Sequence, residues 1–196
     1  MRSLVLATSN RDKVREIRFL LRDHPVTLRT LDDLPPLAEP DETGDTFEAN
    51  ARIKALAYAA AIPGLVIAED SGLEIDALGG APGVRSARFL SPTATYPERF
   101  AAIFERLRGV PDAHRTARFV CALTVAEAGR VRFEARGVVD GRIAQAAAGT
   151  GGFGYDPIFF SPELGCTLAE AGDAKAAVSH RGRAVAVLAR WLDDLG

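Results

Sequence analysis

Apolar positions alternate between short runs and helical spacings in the first half of the chain, then gather into paired runs in the second. Residues 4–8 read as a short buried strand, after which Val14, Ile17, Leu20 and Leu21 switch to the three- and four-residue spacing of a helix face. The chain therefore opens as strand, polar turn, helix. From Thr30 to Asn50 there is no lysine or arginine, while Asp32, Asp33, Glu39, Asp41, Glu42, Asp45 and Glu48 collect around Pro35, Pro36 and Pro40, which predicts an acidic loop. Asp45 followed three residues later by Glu48 resembles a capping box, and it opens an alanine-rich helix over residues 46–61 that Pro63-Gly64 closes.

Residues 65–68 are again a strand, and they deliver Glu69-Asp70-Ser71-Gly72 to its carboxyl end, where polar groups are well placed for chemistry. A glycine- and proline-containing loop at 79–83 leads to a helix begun by Thr95 and Pro97 and stopped by Gly109. Two strands at roughly 117–126 and 131–139 meet at Ala128-Gly129, the pattern of an antiparallel hairpin. A loop at 149–157, a short strand at 158–160 and the apolar set Val185, Leu188, Leu192 and Leu195 of a last helix complete the reading. Early alternation followed by a hairpin predicts an α/β chain with a mixed sheet and flanking helices. No linker divides it, so residues 1–196 are expected to be a single domain with room for two lobes.

Composition narrows the function classes. The 196 residues are 47% hydrophobic, enough to bury one substantial core. The 26% that are charged nearly cancel to a net −2, which gives no positive field for a polynucleotide backbone. Cys121 and Cys166 lie far apart and lack zinc-ligand spacing, so both read as ordinary thiols of a reducing compartment. The longest uncharged run, between Lys54 and Glu69, is too short for a membrane span and is split by Pro63-Gly64, and residues 4–7 are too brief for a signal peptide. A soluble cytoplasmic protein is the expectation.

Several weak signals carry chemistry. Thr8-Ser9-Asn10-Arg11-Asp12-Lys13 lies where a strand turns into a helix, and there backbone N–H groups and Lys13 suit phosphate; the bland alternative is that Ser9 or Asn10 caps the helix and Lys13 stays solvated. Walker A glycines are absent. Glu69 and Asp70, with Asp41-Glu42 in the acidic loop, are hard oxygen donors; Asp70 plus Glu42 would suffice for magnesium, which usually takes only one or two protein carboxylates. A carboxylate there also suits a general base, and a turn or cap is its structural alternative. Phe47, Asn50 and Lys54 share one helix face, so Lys54, in isolation a surface lysine, can become a second phosphate contact.

Gly149-Thr150-Gly151-Gly152-Phe153-Gly154 matches the dinucleotide fingerprint formally, but it leads into Tyr155-Asp156-Pro157 and a strand rather than a helix, so that reading fails. Its glycines permit a sharp turn beside a ligand, and Phe153 offers a stacking face, although a plain turn with a core aromatic is as good a reading. Lys175 and Ser179-His180-Arg181-Gly182 supply donors for a keto oxygen or, alternatively, a helix-end surface feature. Neither Ser71 nor Ser179 sits in a nucleophile elbow.

Together these blocks, from Leu6 to Lys13, Glu42-Thr43-Gly44 with Thr46-Phe47, Asn50 to Lys54, Ala68 to Leu73, Leu78 to Gly83, Gly149 to Pro157 and Ser179 to Ala184, resemble the inosine triphosphate pyrophosphatase family over nearly the whole chain. The resemblance implies an elongated mixed sheet with two lobes around a nucleotide cleft, a homodimer, and magnesium-dependent conversion of ITP, dITP or XTP to the monophosphate and pyrophosphate. It implies that Thr8 to Lys13 and Lys54 hold phosphates, that Asp70 is the catalytic and metal-associated carboxylate with Glu42 as its partner, and that Ser71 touches substrate. Phe153, Gly154, Tyr155, Asp156, Lys175, His180 and Arg181 would form the base and sugar pocket. Ser9 stands where the family often has glycine and Glu69 where bacterial members often have aspartate. A nucleotide sensor without turnover and a pyrophosphatase for modified pyrimidines are the competing classes.

Overall fold

The computed structural model describes residues 2–195. The chain runs β1 (Arg2–Leu6), α1 (Arg11–Leu21), β2 (Val26–Thr30), α2 (Phe47–Ala61), β3 (Leu65–Ile75), α3 (Tyr96–Arg106), β4 (Thr116–Glu127), β5 (Arg130–Ile143), β6 (Phe159–Ser161), β7 (Cys166–Thr167), α4 (Lys175–Val178) and α5 (His180–Asp194). The strands form one mixed sheet in the order β2-β1-β3-β4-β5-β6-β7, with helices packed against it, as the pattern predicts. β1 pairs parallel with both β2 and β3, so the chain leaves β1 in one direction through α1 and returns to its other side through α2. The carboxyl end of β1 is thus a point where strand order reverses, the place where open α/β sheets bind ligands.

The chain divides into two compact units. The first comprises the residues up to Asp70, Cys121–Gly137 and the segment from His180 onward; the second comprises Ser71–Val120 and Val138–Ser179. In the first unit, strand alternation feeds two separate apolar layers. Leu4, Leu6 and Ile67 pack with Ile17 and Leu21 of α1 and Val185, Leu188 and Leu192 of α5. Val5, Ala7, Val66 and Ala68 pack with Ala55, Tyr58 and Ala59 of α2. The second unit centres on Leu73, Ile75, Phe119, Val139 and Phe159 against Ile103 and Leu107, with the Phe119 and Phe159 rings 4.7 Å apart. Among the described residues no helix is long and apolar enough to cross a membrane.

Local chemistry sets the boundaries, and three expectations are corrected. Thr46, not Asp45, caps α2, its hydroxyl accepting from the Ala49 N–H at 3.1 Å, which leaves Glu48 free to reach Arg136 at 2.9 Å. The opening strand spans Arg2–Leu6 and releases Thr8 into the following turn. β3 does not stop at Ala68 but continues to Ile75, so Glu69 and Asp70 are strand-interior residues. The Ala128-Gly129 hairpin holds: φ is 49° and 72°, and two successive positive values make the turn whose twist suits a two-residue hairpin. Thr95 caps α3 in a reciprocal box with Glu98.

Candidate functional site

Successive strand residues face opposite sides of a sheet, so β3 sends Glu69 with Ile67 toward the α1/α5 layer and Asp70 with Ala68 toward α2. Each carboxylate meets its own set of partners. On the α2 side, Lys54 is not a surface lysine; it is 7% exposed, with Nζ 2.5 Å from Glu42 and 3.3 Å from Asp70. Asn50, fully buried one helical turn earlier, donates to Asp70 Oδ2 at 3.2 Å and accepts from the Gly44 N–H at 2.8 Å. Asn50 therefore ties the acidic loop to the carboxylate. Gly44 is demanded by this closeness, because a Cβ there would lie 2.6 Å from the Ala49 side chain. The sequence signal for Asn50 is the helix face that it shares with Lys54, which by itself assigns it no role.

Burial pushes the Asp70 carboxyl above the usual aspartate range, against the pull of Lys54. Burial also opposes the charge on Lys54, but Asp70 and Glu42 more than offset it and hold the ammonium protonated. The result is a desolvated carboxylate with enhanced affinity for a proton beside a fixed positive charge. Among the described residues, no group of three or more His, Cys, Asp or Glu side chains forms a metal cage. Glu42 and Asp70, both already against one cation, are a two-carboxylate donor set of the kind that suffices for magnesium when waters and phosphates complete the shell.

On the other face, Glu69 is 1% exposed and lies 2.8 Å from Lys13 Nζ, 3.3 Å from Arg181 and 3.0 Å from the Cys121 thiol. Burial would raise its proton affinity, yet Arg181 and Lys13 hold it well below the usual carboxylate range. Arg181 also donates to Glu16 at 2.5 Å. The Cys121 thiol is pushed up by burial and by Glu69. Arg181, expected to read a base, belongs to the first unit, is 1% exposed and is engaged by two carboxylates, whereas the loop residues assigned the same task belong to the second unit. His180, buried, opens α5 in the same unit, and a Cβ on Gly137 would come 2.0 Å from its carbonyl oxygen.

The turn between β1 and α1 resolves the choice between cap and phosphate loop in part. Asn10 is the cap, its Oδ1 accepting from the N–H groups of Asp12 at 3.0 Å and Lys13 at 3.2 Å, and Thr8 Oγ1 accepts from the Asn10 N–H at 3.2 Å. Lys13 is not solvated but points to Glu69. Asp12 pairs with Arg15, and at about 100° per residue Arg11 lies away from the Lys13 face. Ser9 is exposed in this turn.

In the second unit Asp156, 2% exposed, accepts from the Phe153 N–H at 2.8 Å and from Lys175 Nζ at 2.7 Å, and that ammonium lies 5.3 Å from the Phe153 ring centre. Gly152 has φ 67°, and a Cβ there would lie 2.1 Å from Asp156 Oδ2, so only glycine allows this closure. Gly154 also has positive φ, 68°. Tyr155 is corrected: its ring is buried edge-on against Tyr96 at 5.3 Å and its hydroxyl donates to the Ser86 carbonyl at 2.9 Å, so it supports the loop from the core. Ser71 follows Asp70 on β3, half-buried.

Residues 4–191 match the model of the Ham1 family. The dITP/XTP pyrophosphatase of Geobacillus kaustophilus is 44% identical, covering 100% of this chain and 97% of that protein. The dITP/XTP pyrophosphatase of Geobacter sulfurreducens is 47% identical, over 96% of this chain and 95% of the relative. Among solved structures, a HAM1 protein from Coxiella burnetii superposes with a TM-score of 0.88 at 38% identity, covering 99% of this chain and 100% of that one.

Proposed function

The chain belongs to the Ham1 family, and from that premise we propose that it hydrolyses non-standard purine nucleoside triphosphates, dITP, XTP and ITP, to the monophosphate and pyrophosphate with Asp70 as general base. The observation that carries the assignment of Asp70 is its buried position against Lys54 and Asn50, which gives a carboxylate of raised basicity in a site already charged for phosphate. Asp70 takes the proton of the attacking water as its oxygen bonds phosphorus and the α–β anhydride bond breaks; the bond's electron pair leaves on the departing phosphate oxygen. Lys54 and Lys13 neutralise triphosphate oxygens, and each must exchange a carboxylate for phosphate to do so. The Thr8–Asn10 turn and Ser71 complete the phosphate contacts.

Magnesium suits Asp70 and Glu42, and when bound it supplies neutralisation of charge on the phosphate oxygens. Glu69 is a poorer ligand than Glu42, since Lys13, Arg181 and Cys121 already take its oxygens. In the second unit, Phe153 stacks on the base and Lys175, fixed by Asp156 beside Gly154, donates to a keto oxygen. Arg181 acts by holding Glu69. One pyrophosphatase domain over residues 1–196, assembly as a homodimer and residence in the cytoplasm follow the family resemblance. Product analysis tests the reading: dITP with magnesium should yield dIMP and pyrophosphate in equal amounts, with XTP and ITP turned over far faster than ATP or dTTP. Release of dIDP and phosphate, or equal rates on all five, contradicts it.

A further inference from the structure

One face of α1 belongs to the Glu69 network, through Lys13 and Glu16. At about 100° per residue, Arg11, Arg15 and Arg18 lie on the opposite face. With Thr8, Ser9 and the chain from Thr30 to Leu37 they line a cavity of about 660 Å³. Cavities of roughly 300 to 1,000 Å³ hold small molecules. Three guanidinium groups face one lining carboxylate, Asp32. Of the neighbouring acids, Asp33 accepts from the Thr30 N–H at 2.7 Å and the Thr30 hydroxyl at 3.1 Å, while Asp12 pairs with Arg15 of the lining at 2.8 Å, a contact that a bound anion must share or displace. Among the described residues, Arg11 and Arg18 form no ion pair.

The facing wall needs little ordering. The reciprocal Thr30–Asp33 box fixes the turn at Leu31–Asp33, and Pro35-Pro36 restricts the backbone that follows. Leu31, Pro35, Pro36 and Leu37 make that wall largely apolar. Guanidinium forks match phosphate oxygens, and an apolar wall suits the carbon skeleton that carries them.

We propose that this cavity is a second anion site, taking a phosphorylated small molecule on Arg11, Arg15 and Arg18, on the face of α1 turned away from Lys13. A nucleoside monophosphate and free pyrophosphate share the required chemistry and are both products of the proposed reaction. The site shares the Thr8-Ser9 turn with the phosphate loop, so its occupancy bears on the Asn10 cap of α1.

The test is calorimetric titration of the metal-free protein with IMP and, separately, with inorganic pyrophosphate, which needs no turnover and so fails or succeeds apart from the catalytic assignment. In a Lys54→Ala background, which weakens the catalytic phosphate contact, binding should persist. Adding Arg15→Ala with Arg18→Ala should weaken it about tenfold or more, while Asp32→Asn, which removes the opposing charge, should tighten it several-fold. Both arginine changes are on exposed positions, and kcat/KM for dITP at initial rates should be unchanged. An effect on both probes, or on either one, supports the site and identifies its ligand. Titrations of both probes that are indifferent to Arg15, Arg18 and Asp32 overturn it.

Discussion

Alternation along β3 gives Glu69 and Asp70 opposite proton affinities, although they are adjacent in sequence and both buried. Glu69 keeps its charge because Arg181 and Lys13 face it. Glu69→Gln leaves Arg181 buried with Glu16 as its remaining carboxylate contact, so the protein should lose stability at neutral pH, by less than the about 3–5 kcal/mol of a buried charge left with no partner. Because the folded-state pKa is depressed, this stabilisation is complete above the ordinary glutamate range and disappears as pH falls through the lower folded value. Urea unfolding of both proteins from neutral to acid pH should show the gap closing; parallel curves would refute the pairing. Lys54 is the other lever. It lowers the pKa that burial raises in Asp70, so Lys54→Met should raise that pKa further and move the acid limb of the pH–rate profile to higher pH. The same change should increase KM by an amount equivalent to about 1.5–3 kcal/mol; an unmoved acid limb would argue against Asp70 as the titrating base. The sequence marked Asp70, Glu42, Lys13 and Lys54 as candidates for one chemistry, and the fold brings Glu42 and Asp70 to Lys54 and Glu69 to Lys13. The sequence hid their division between two faces, because Arg181 and Cys121 reach Glu69 from segments more than fifty residues away.

Helices and turns were legible where local chemistry decides them: Asn10 and Thr95 at helix starts, and Ala128-Gly129 at the hairpin. The length of β3 was not, since two acidic residues in succession read as a strand's end until partners on both faces neutralise them. β2 was equally hard to read, with only one fully buried residue in five. The hairpin offers a test at this scale. Ala128 holds φ 49°, a conformation that costs an ordinary L-residue about 1–2 kcal/mol and asparagine less. Ala128→Asn should therefore raise stability by up to about 1 kcal/mol in chemical denaturation without altering turnover. A destabilised variant would mean that the turn is not limited by its backbone conformation.

For the whole molecule, the ordered series of blocks from Leu6 to Ala184 was enough to indicate the family, and the family match over residues 4–191 agrees. The residues proposed to read the base are brought together only in part. Phe153, Asp156 and Lys175 come together in one unit, whereas Arg181 is drawn to Glu16 and Glu69 and Tyr155 into the core. Those outcomes depend on long-range packing that spacing along the chain does not encode. Under this division of labour Phe153→Ala should lower kcat/KM for dITP and dATP by similar factors, corresponding to about 1–3 kcal/mol of stacking; a loss confined to dITP would make Phe153 a reader of the keto group. The central claim, that Asp70 is the base of a pyrophosphate-releasing hydrolase, is tested most directly by measuring dITP binding and single-turnover pyrophosphate release with Asp70→Asn at saturating magnesium. The account predicts retained nucleotide binding with release slowed about 100- to 10,000-fold or more; release at the parent rate would contradict it.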